Sequence, residues 1–265
     1  MAAGVRVGRD KATFVLDPAV ETLGLWIEQL VAESLGKDGT GCVPVVGEPI
    51  GSPEVYGTDR LFLSHEPLLE LEAAGHPVVT VPSAPTPYAI GHLVVTMELA
   101  TALVGAAIGV QPFDQPDVAA AKTATSEVLA EGGAEVTGQP VADLLALLQP
   151  GDHLALQVFG DPGDHEVHVL EAARVALRDR FRVAVSLGFG PRFLHSTGQL
   201  HKGGPAAIVC VQAVGTDPEE IPIPGQPFGF GHLKRAQAAG DLRTLVARGI
   251  RAGRVDLHEL LEAAS

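Results

Sequence analysis

The chain has 265 residues, 46% of them apolar and 19% charged, which is enough for one large or two ordinary domains around a real hydrophobic core. A formal charge of −14 excludes a nucleic-acid-binding surface and docking on anionic membranes, and it leaves an anionic small molecule only a locally basic site. The two cysteines, Cys42 and Cys210, are far apart and form no CxxC pair, so they read as buried, reduced thiols of a cytoplasmic protein.

Residues 1–10 hold Arg6, Arg9 and Asp10 but no apolar stretch of signal-peptide length. Residues 11–16 read as a strand. Asp17-Pro18 then supplies an N-cap and a proline at the first helical position, opening a helix to about Ser34 with Leu23, Trp26, Ile27 and Leu30 on one face and Gly36 to stop it. Strands over 41–46, 60–64 and 77–81 and a short helix over 68–74 continue a βα alternation, the pattern of a parallel sheet flanked by helices. Residues 89–110 are apolar and long enough to span a bilayer, but they contain His92 and Glu98 and follow Pro82, Pro85 and Pro87. A mid-span carboxylate costs ~3 kcal/mol on insertion scales, so this segment reads as a buried core helix in which Glu98 needs a partner.

Phe113-Asp114-Gln115-Pro116 ends that run. Pro112 and Pro116 stiffen the loop, and Asp117 is placed to cap an alanine-rich helix that carries Lys122 about a turn and a half in. A composition break at 130–140 marks a domain boundary, dividing the chain into 1–134 and 135–265. Beyond it, helices over 143–148, 166–180, 232–239 and 242–248 alternate with strands over 153–159, 182–187 and 206–213, a Pro/Gly loop over 222–231 and a short strand at 254–257. The expected fold class is α/β, a parallel sheet flanked by helices followed by a second, smaller α/β domain, with no tandem repeat at a fixed period.

Four places could carry chemistry. Lys122 offers a helical cation. Glu33 lies in a last helical turn, where the negative end of the dipole raises a carboxyl pKa and suits a proton-transfer base. Gly47-Glu48-Pro49-Ile50-Gly51 makes a rigid turn at the carboxyl edge of the sheet, where open α/β sheets bind ligands. Residues 188–204, carrying Arg192, His195, His201 and Lys202, form a loop dense in glycine, cations and hydroxyls that could hold an anion, though without the spacing of a nucleotide P-loop. The plainer readings are a solvated Lys122, a surface Glu33 beside Lys37, and connecting loops. His153, His165 and His168 near Asp161 and Asp164 match no metal-ligand spacing, so no metal site is expected.

Ile27-Glu28-Gln29-Leu30 running into Glu33-Ser34 and Gly36-Lys37, then Gly47-Glu48-Pro49, then Gly109-Val110-Gln111-Pro112-Phe113-Asp114-Gln115-Pro116 with Lys122, resemble in order and spacing the second half of phosphoglucose isomerase. Gly190-Pro191-Arg192-Phe193-Leu194-His195-Ser196-Thr197-Gly198-Gln199-Leu200-His201-Lys202-Gly203-Gly204 is similar to the terminal domain of the bacterial transaldolase/phosphoglucose isomerase fusions. The resemblance covers nearly the whole chain. It implies a sugar-isomerase-type sheet in 1–134, and interconversion of glucose 6-phosphate and fructose 6-phosphate through a cis-enediolate, without metal or organic cofactor. Glu33 falls on the family's base, which moves the proton between C2 and C1, and Lys122 on the lysine that assists at the ring oxygen and hydroxyl positions. Gly47, Glu48, Gln115, Arg192, His195 and Lys202 are the expected substrate-binding residues.

The departures are as informative. The family's phosphate-binding loops and its enediolate-stabilising arginine belong to a first half whose patterns this sequence lacks, so the site is expected to be incomplete alone. After Gly47-Glu48-Pro49 the sequence runs Ile50-Gly51-Ser52-Pro53-Glu54-Val55-Tyr56 with no ring-opening histidine, and Ala119 stands where a glutamate is common. His201, with His195 as second choice, is expected to take the histidine's acid-base role. The partners implied are a hexose phosphate, the N-terminal isomerase half, a transaldolase domain and a second copy of the chain; nucleic acid and membrane are excluded. The competing classes are a non-catalytic sugar-phosphate-binding module and an assembly module that docks a transaldolase.

Overall fold

In the computed structural model, which describes residues 1–84, 86–116, 118–131, 137–217 and 219–262, the strands gather into two parallel sheets. The chain opens with α1 (Ala2–Arg6) and β1 (Lys11–Val15). Asp17 accepts a hydrogen bond from Ala19 N at 3.0 Å and starts a 3-10 segment, Pro18–Leu23, that kinks at Val20 before α2 (Gly24–Leu35). Next come β2 (Val43–Val46), β3 (Arg60–Ser64), α3 (Leu69–Ala73), β4 (Val78–Thr80), α4 (Pro87–Ile108) and α5 (Val118–Ala130). The remaining elements are α6 (Val141–Leu145), β5 (His153–Phe159), α7 (Asp164–Phe181), β6 (Ala184–Gly190), α8 (Gly198–Gly203), β7 (Ile208–Val214), α9 (Phe230–Ala247), β8 (Arg251–Val255) and α10 (Leu257–Glu262).

The sheet orders are β2-β1-β3-β4 and β6-β5-β7-β8, every neighbour parallel. Both sheets follow one plan, with the first strand between the second and third and the fourth at one edge. The chain is thus duplicated in topology although its sequence shows no repeat. Every residue of β5 is buried, as are all of β7 but Val214, which is why these strands read as continuous apolar runs. One core fills the space between the first sheet, α2 and α4, and a second lies under β5, β6, β7 and α7.

Several expectations change here. The long apolar segment is a helix buried on one face only: Leu93, Met97, Thr101 and Val104 point inward, while Tyr88, Val95, Leu99 and Leu103 recur at helical spacing in the open. Its length and hydropathy suffice to cross a membrane. Glu98 needs no partner because it is exposed. Residues 188–204 are not an open loop; they finish β6, form a 3-10 turn (Arg192–His195) and build α8, whose residues are all buried. The helices expected over 232–239 and 242–248 are one helix, α9, because Gly240 is a packing site rather than a break. A Cβ there would stand 2.7 Å from Thr125 N, so the glycine lets α5 and α9 touch. Gly36 likewise ends α2 at an ordinary φ of −82°, and its missing side chain makes room for Leu200, whose Cα would be 2.5 Å from a Cβ. The expected boundary between 134 and 135 falls on residues outside those described, and α5, placed before it, packs on α9 of the second sheet.

Cations, not only apolar groups, occupy the interior. Arg60 is fully buried, donating to Thr13 Oγ1 at 2.6 Å and to Glu48 Oε2 at 3.1 Å. Arg174 and Arg178 reach from α7 into the β2 turn, donating to Val46 O at 3.1 Å and Pro49 O at 2.6 Å. Lys11 donates to Gly151 O at 2.6 Å and pairs with Asp10. Of these, the Arg174, Arg178 and Lys11–Gly151 bonds join the two halves, beside a small apolar cluster of Ala32, Val43 and Leu200. Cys42 and Cys210 are buried free thiols, and burial pushes the Cys42 pKa up to about 12.

Candidate functional site

Helix α2 is the wall around which the candidate residues divide. Trp26, Gln29, Leu30 and Glu33 recur at helical spacing on one side, and Gly24, Leu25 and Glu28, with Glu21 of the preceding 3-10 segment, border the other. The first side borders a cavity of about 400 Å³ closed by the 112–115 loop.

Lys37 holds that loop in place. Although charged, it is only 1% exposed, and its Nζ donates to Gln111 O at 2.5 Å, to Asp114 O, and to Asp114 Oδ1 at 3.0 Å. The lysine just after α2 thus pins the Phe113–Pro116 turn against the helix end, and Gln115 shares a cavity wall with Glu33, where its amide favours the ionised carboxylate. Gln29 Nε2 donates to Glu33 Oε2 at 3.3 Å. Burial raises the Glu33 pKa, opposed by the Gln29 bond, the charge of His195, the Gln115 amide and Lys37. The direction is that expected from the helix terminus, but desolvation is its main cause.

Lys122 lines a neighbouring cavity of about 280 Å³ with Thr125, Ser126, His195 and Lys202. His195, which is exposed, therefore adjoins both candidate catalytic residues: it shares this cavity with Lys122 and acts electrostatically on Glu33. Glu33 and Gln115 line one cavity and Lys122 and His195 another, and the link between the two is the charge of His195, which acts on Glu33.

The other expected residues lie elsewhere. His201 is 3% exposed and accepts at Nδ1 from Gln157 Nε2 at 3.0 Å, its ring 6.0 Å from that of His153. Burial holds its pKa well below the usual histidine value, followed by the effects of His153 and Lys202, so it is a neutral interior group that lines neither cavity. Glu48 gives its carboxylate to Arg60 at 3.1 Å and stands 3.7 Å from Arg178, a buried anion that also borders a small cavity of about 290 Å³ with Gly47 and Pro49. Lys202 reaches the Lys122 cavity but forms a buried ion pair with Asp241. Gly47 and Arg192 face a third cavity, on the opposite side of α2 from Glu33. Among the described residues no three His, Cys, Asp or Glu side chains gather as metal ligands.

The sequence reading missed two residues of consequence, Lys37 as the clamp of the site loop and Glu28 in the third cavity. Both lie in the 27–37 stretch marked in the sequence, but their roles depend on partners far along the chain. Only the helical spacing of Glu28 with Gly24 and Leu25 signals a shared face.

Fold and site together define a parallel α/β protein with two similarly ordered sheets and clefts along α2. No protein-family model matches the chain, and no curated protein matches it. Among solved structures it is similar to a hypothetical protein from Thermus thermophilus, at 13% identity over 99% of this chain and 80% of that one with a TM-score of 0.38. It is also similar to the C-terminal domain of glucosamine-fructose-6-phosphate aminotransferase from Francisella tularensis, at 11% identity over 99% of this chain and 87% of that one with a TM-score of 0.29.

Proposed function

We propose that this chain binds a sugar phosphate and supplies the proton-transfer residues of an aldose-ketose isomerase, with glucose 6-phosphate and fructose 6-phosphate as the pair its motifs point to. The observation that supports this reading is that Glu33 and Gln115 line one cavity and Lys122 and His195 another, with the charge of His195 acting on Glu33 and Lys37 holding the 112–115 loop against the end of α2. Glu33, half-buried with a raised pKa, takes the proton from C2 and returns it to C1. The Lys122 ammonium offsets the oxyanion charge of the enediolate. The ring-opening role belongs to His195 rather than His201, because His195 is exposed beside both residues.

The site is open. Phe113, in the turn beside Gln115, is 86% exposed, and the Tyr88–Leu103 row of α4 is uncovered. These surfaces favour a second element of the proposal: a sugar-phosphate-binding half packs here and completes the site, and without it the chain is a binding or assembly module. The test is to express this chain together with an isomerase N-terminal half and assay fructose 6-phosphate. The pair should be active, the chain alone nearly inactive, and Glu33→Gln should cost about 10²- to 10⁴-fold. Undiminished activity in the Glu33→Gln pair would remove the catalytic assignment. Loss of pairing in Leu99→Asp would place the partner on α4.

A further inference from the structure

The third cavity, about 370 Å³, lies where the carboxyl ends of β2 and β6 meet beneath α2 and α7. Its wall carries Arg174 and Arg192, the backbone at Gly47 and Gly188, and apolar surface from Leu25 and Phe189. Arg174 is 4% exposed, yet its Nη2 has no hydrogen-bond partner; Nη1 donates to Val46 O, and Nε lies 3.1 Å from Glu171 Oε2. A buried guanidinium nitrogen without an acceptor is costly unless something outside the chain supplies one.

We infer that this cavity is a binding site for a small dianionic oxyanion, the phosphate group of a compact metabolite, held between Arg174 and Arg192. The site is separate from the one built on Glu33 and stands whether or not that one is catalytic. Two guanidinium groups match a dianion better than a single carboxylate.

Glu28 sets its dependence on pH. It is faced by Arg192 from the 3-10 turn, Arg174 and Glu171 from α7, and Glu21 from the 3-10 segment before α2. Burial pushes its pKa up to about 7 against the pull of Arg192 and Arg174. Below that pH the neutral carboxyl no longer competes for the arginines, with Glu171 alone still engaging Arg174 Nε, and it can donate a hydrogen bond; above it, Glu28 competes as an anion.

Sulfate is the probe, since its charge does not change between pH 6 and 8. Titration followed by amide NMR should shift Gly47 and Gly188, with binding tighter at pH 6 than at pH 8. Removing a charge here is worth on the order of tenfold in affinity. Arg192→Ala, at an exposed position, should weaken binding by about that factor at both pH values, and Glu28→Gln should strengthen it at pH 8 and abolish the pH dependence. Equal sulfate affinity in Arg192→Ala and the parent, an unaltered pH dependence in Glu28→Gln, or tighter binding of acetate than of sulfate would each overturn the assignment.

Discussion

Glu33 is a carboxylate held between opposing influences, and each has a side chain attached to it. Burial raises its pKa; the amides of Gln29 and Gln115 lower it by favouring the ionised form. Gln29→Leu removes one donor and leaves the burial, so the Glu33 pKa should rise further, measured by NMR titration of the side-chain carboxyl. Lys37→Met should be more damaging. It strands the Gln111 and Asp114 carbonyls and frees the 112–115 loop, at a cost of ~1–3 kcal/mol in urea unfolding. The buried histidines set an acid limit. Burial lowers the His153 pKa to about 3 and holds His201 well below 6.5, whereas both titrate near 6.5 when unfolded. Below that pH the unfolded chain binds protons the folded one refuses, so stability falls as pH drops below about 6.5, by ~1.4 kcal/mol per pH unit for His153 down to about 3 with His201 acting in the same direction, and this pair adds nothing above 6.5. His201→Asn should flatten the fall, seen as a smaller loss of urea midpoint between pH 7 and pH 5 than in the parent. Glu33 and Lys122 were legible as candidates because carboxylate and lysine stand in marked local settings. Lys37 was read only as a neighbour of Glu33, since its partners lie in a loop more than seventy positions away.

At the scale of elements, the inner strands were legible to the residue, 153–159 and 60–64 matching β5 and β3, whereas the last strand, expected over 254–257, runs over Arg251–Val255. Buried parallel strands are short apolar runs bounded by turn residues, and such runs need no tertiary context to be recognised. Helix ends were legible only where capping chemistry is local, as at Asp17. Gly240 shows the reverse: glycine was read as a break in a helix, whereas the helix continues and the glycine admits α5. Gly240→Val should force α5 and α9 apart, lowering stability by ~1–3 kcal/mol and exposing Val128, with a lower melting temperature as the measurement. Residues 188–204 misled for a related reason. Glycines, histidines and a lysine suggest an exposed loop, but the lysine pairs with Asp241, a histidine bonds Gln157, and residues 198–203 are buried while Arg192 and His195 stay exposed.

Across the whole molecule, the two similarly ordered sheets are joined through charged and polar groups. The Glu48 carboxylate stands between Arg60 of the first sheet and Arg178 of α7, while Arg60 also donates to Val183 O at 3.4 Å. Arg60→Met leaves that carboxylate buried with one distant cation. A loss of ~3–5 kcal/mol is expected, and urea unfolding should separate into two transitions as each sheet loses its hold on the other. A single transition at the parent midpoint would show that the seam does not depend on this pair.

The inward placement of Arg60, Arg174, Arg178, Lys11 and Lys37 has a kinetic consequence in a chain of net charge −14. With these cations withdrawn, an approaching anion meets net repulsion at long range and attraction only at the mouth of a cleft. Added salt shortens the reach of that repulsion to about 8 Å at physiological ionic strength. Encounter rates with anionic ligands should therefore rise with ionic strength, the reverse of the electrostatic steering seen when a protein's exterior carries the charge opposite to its ligand's.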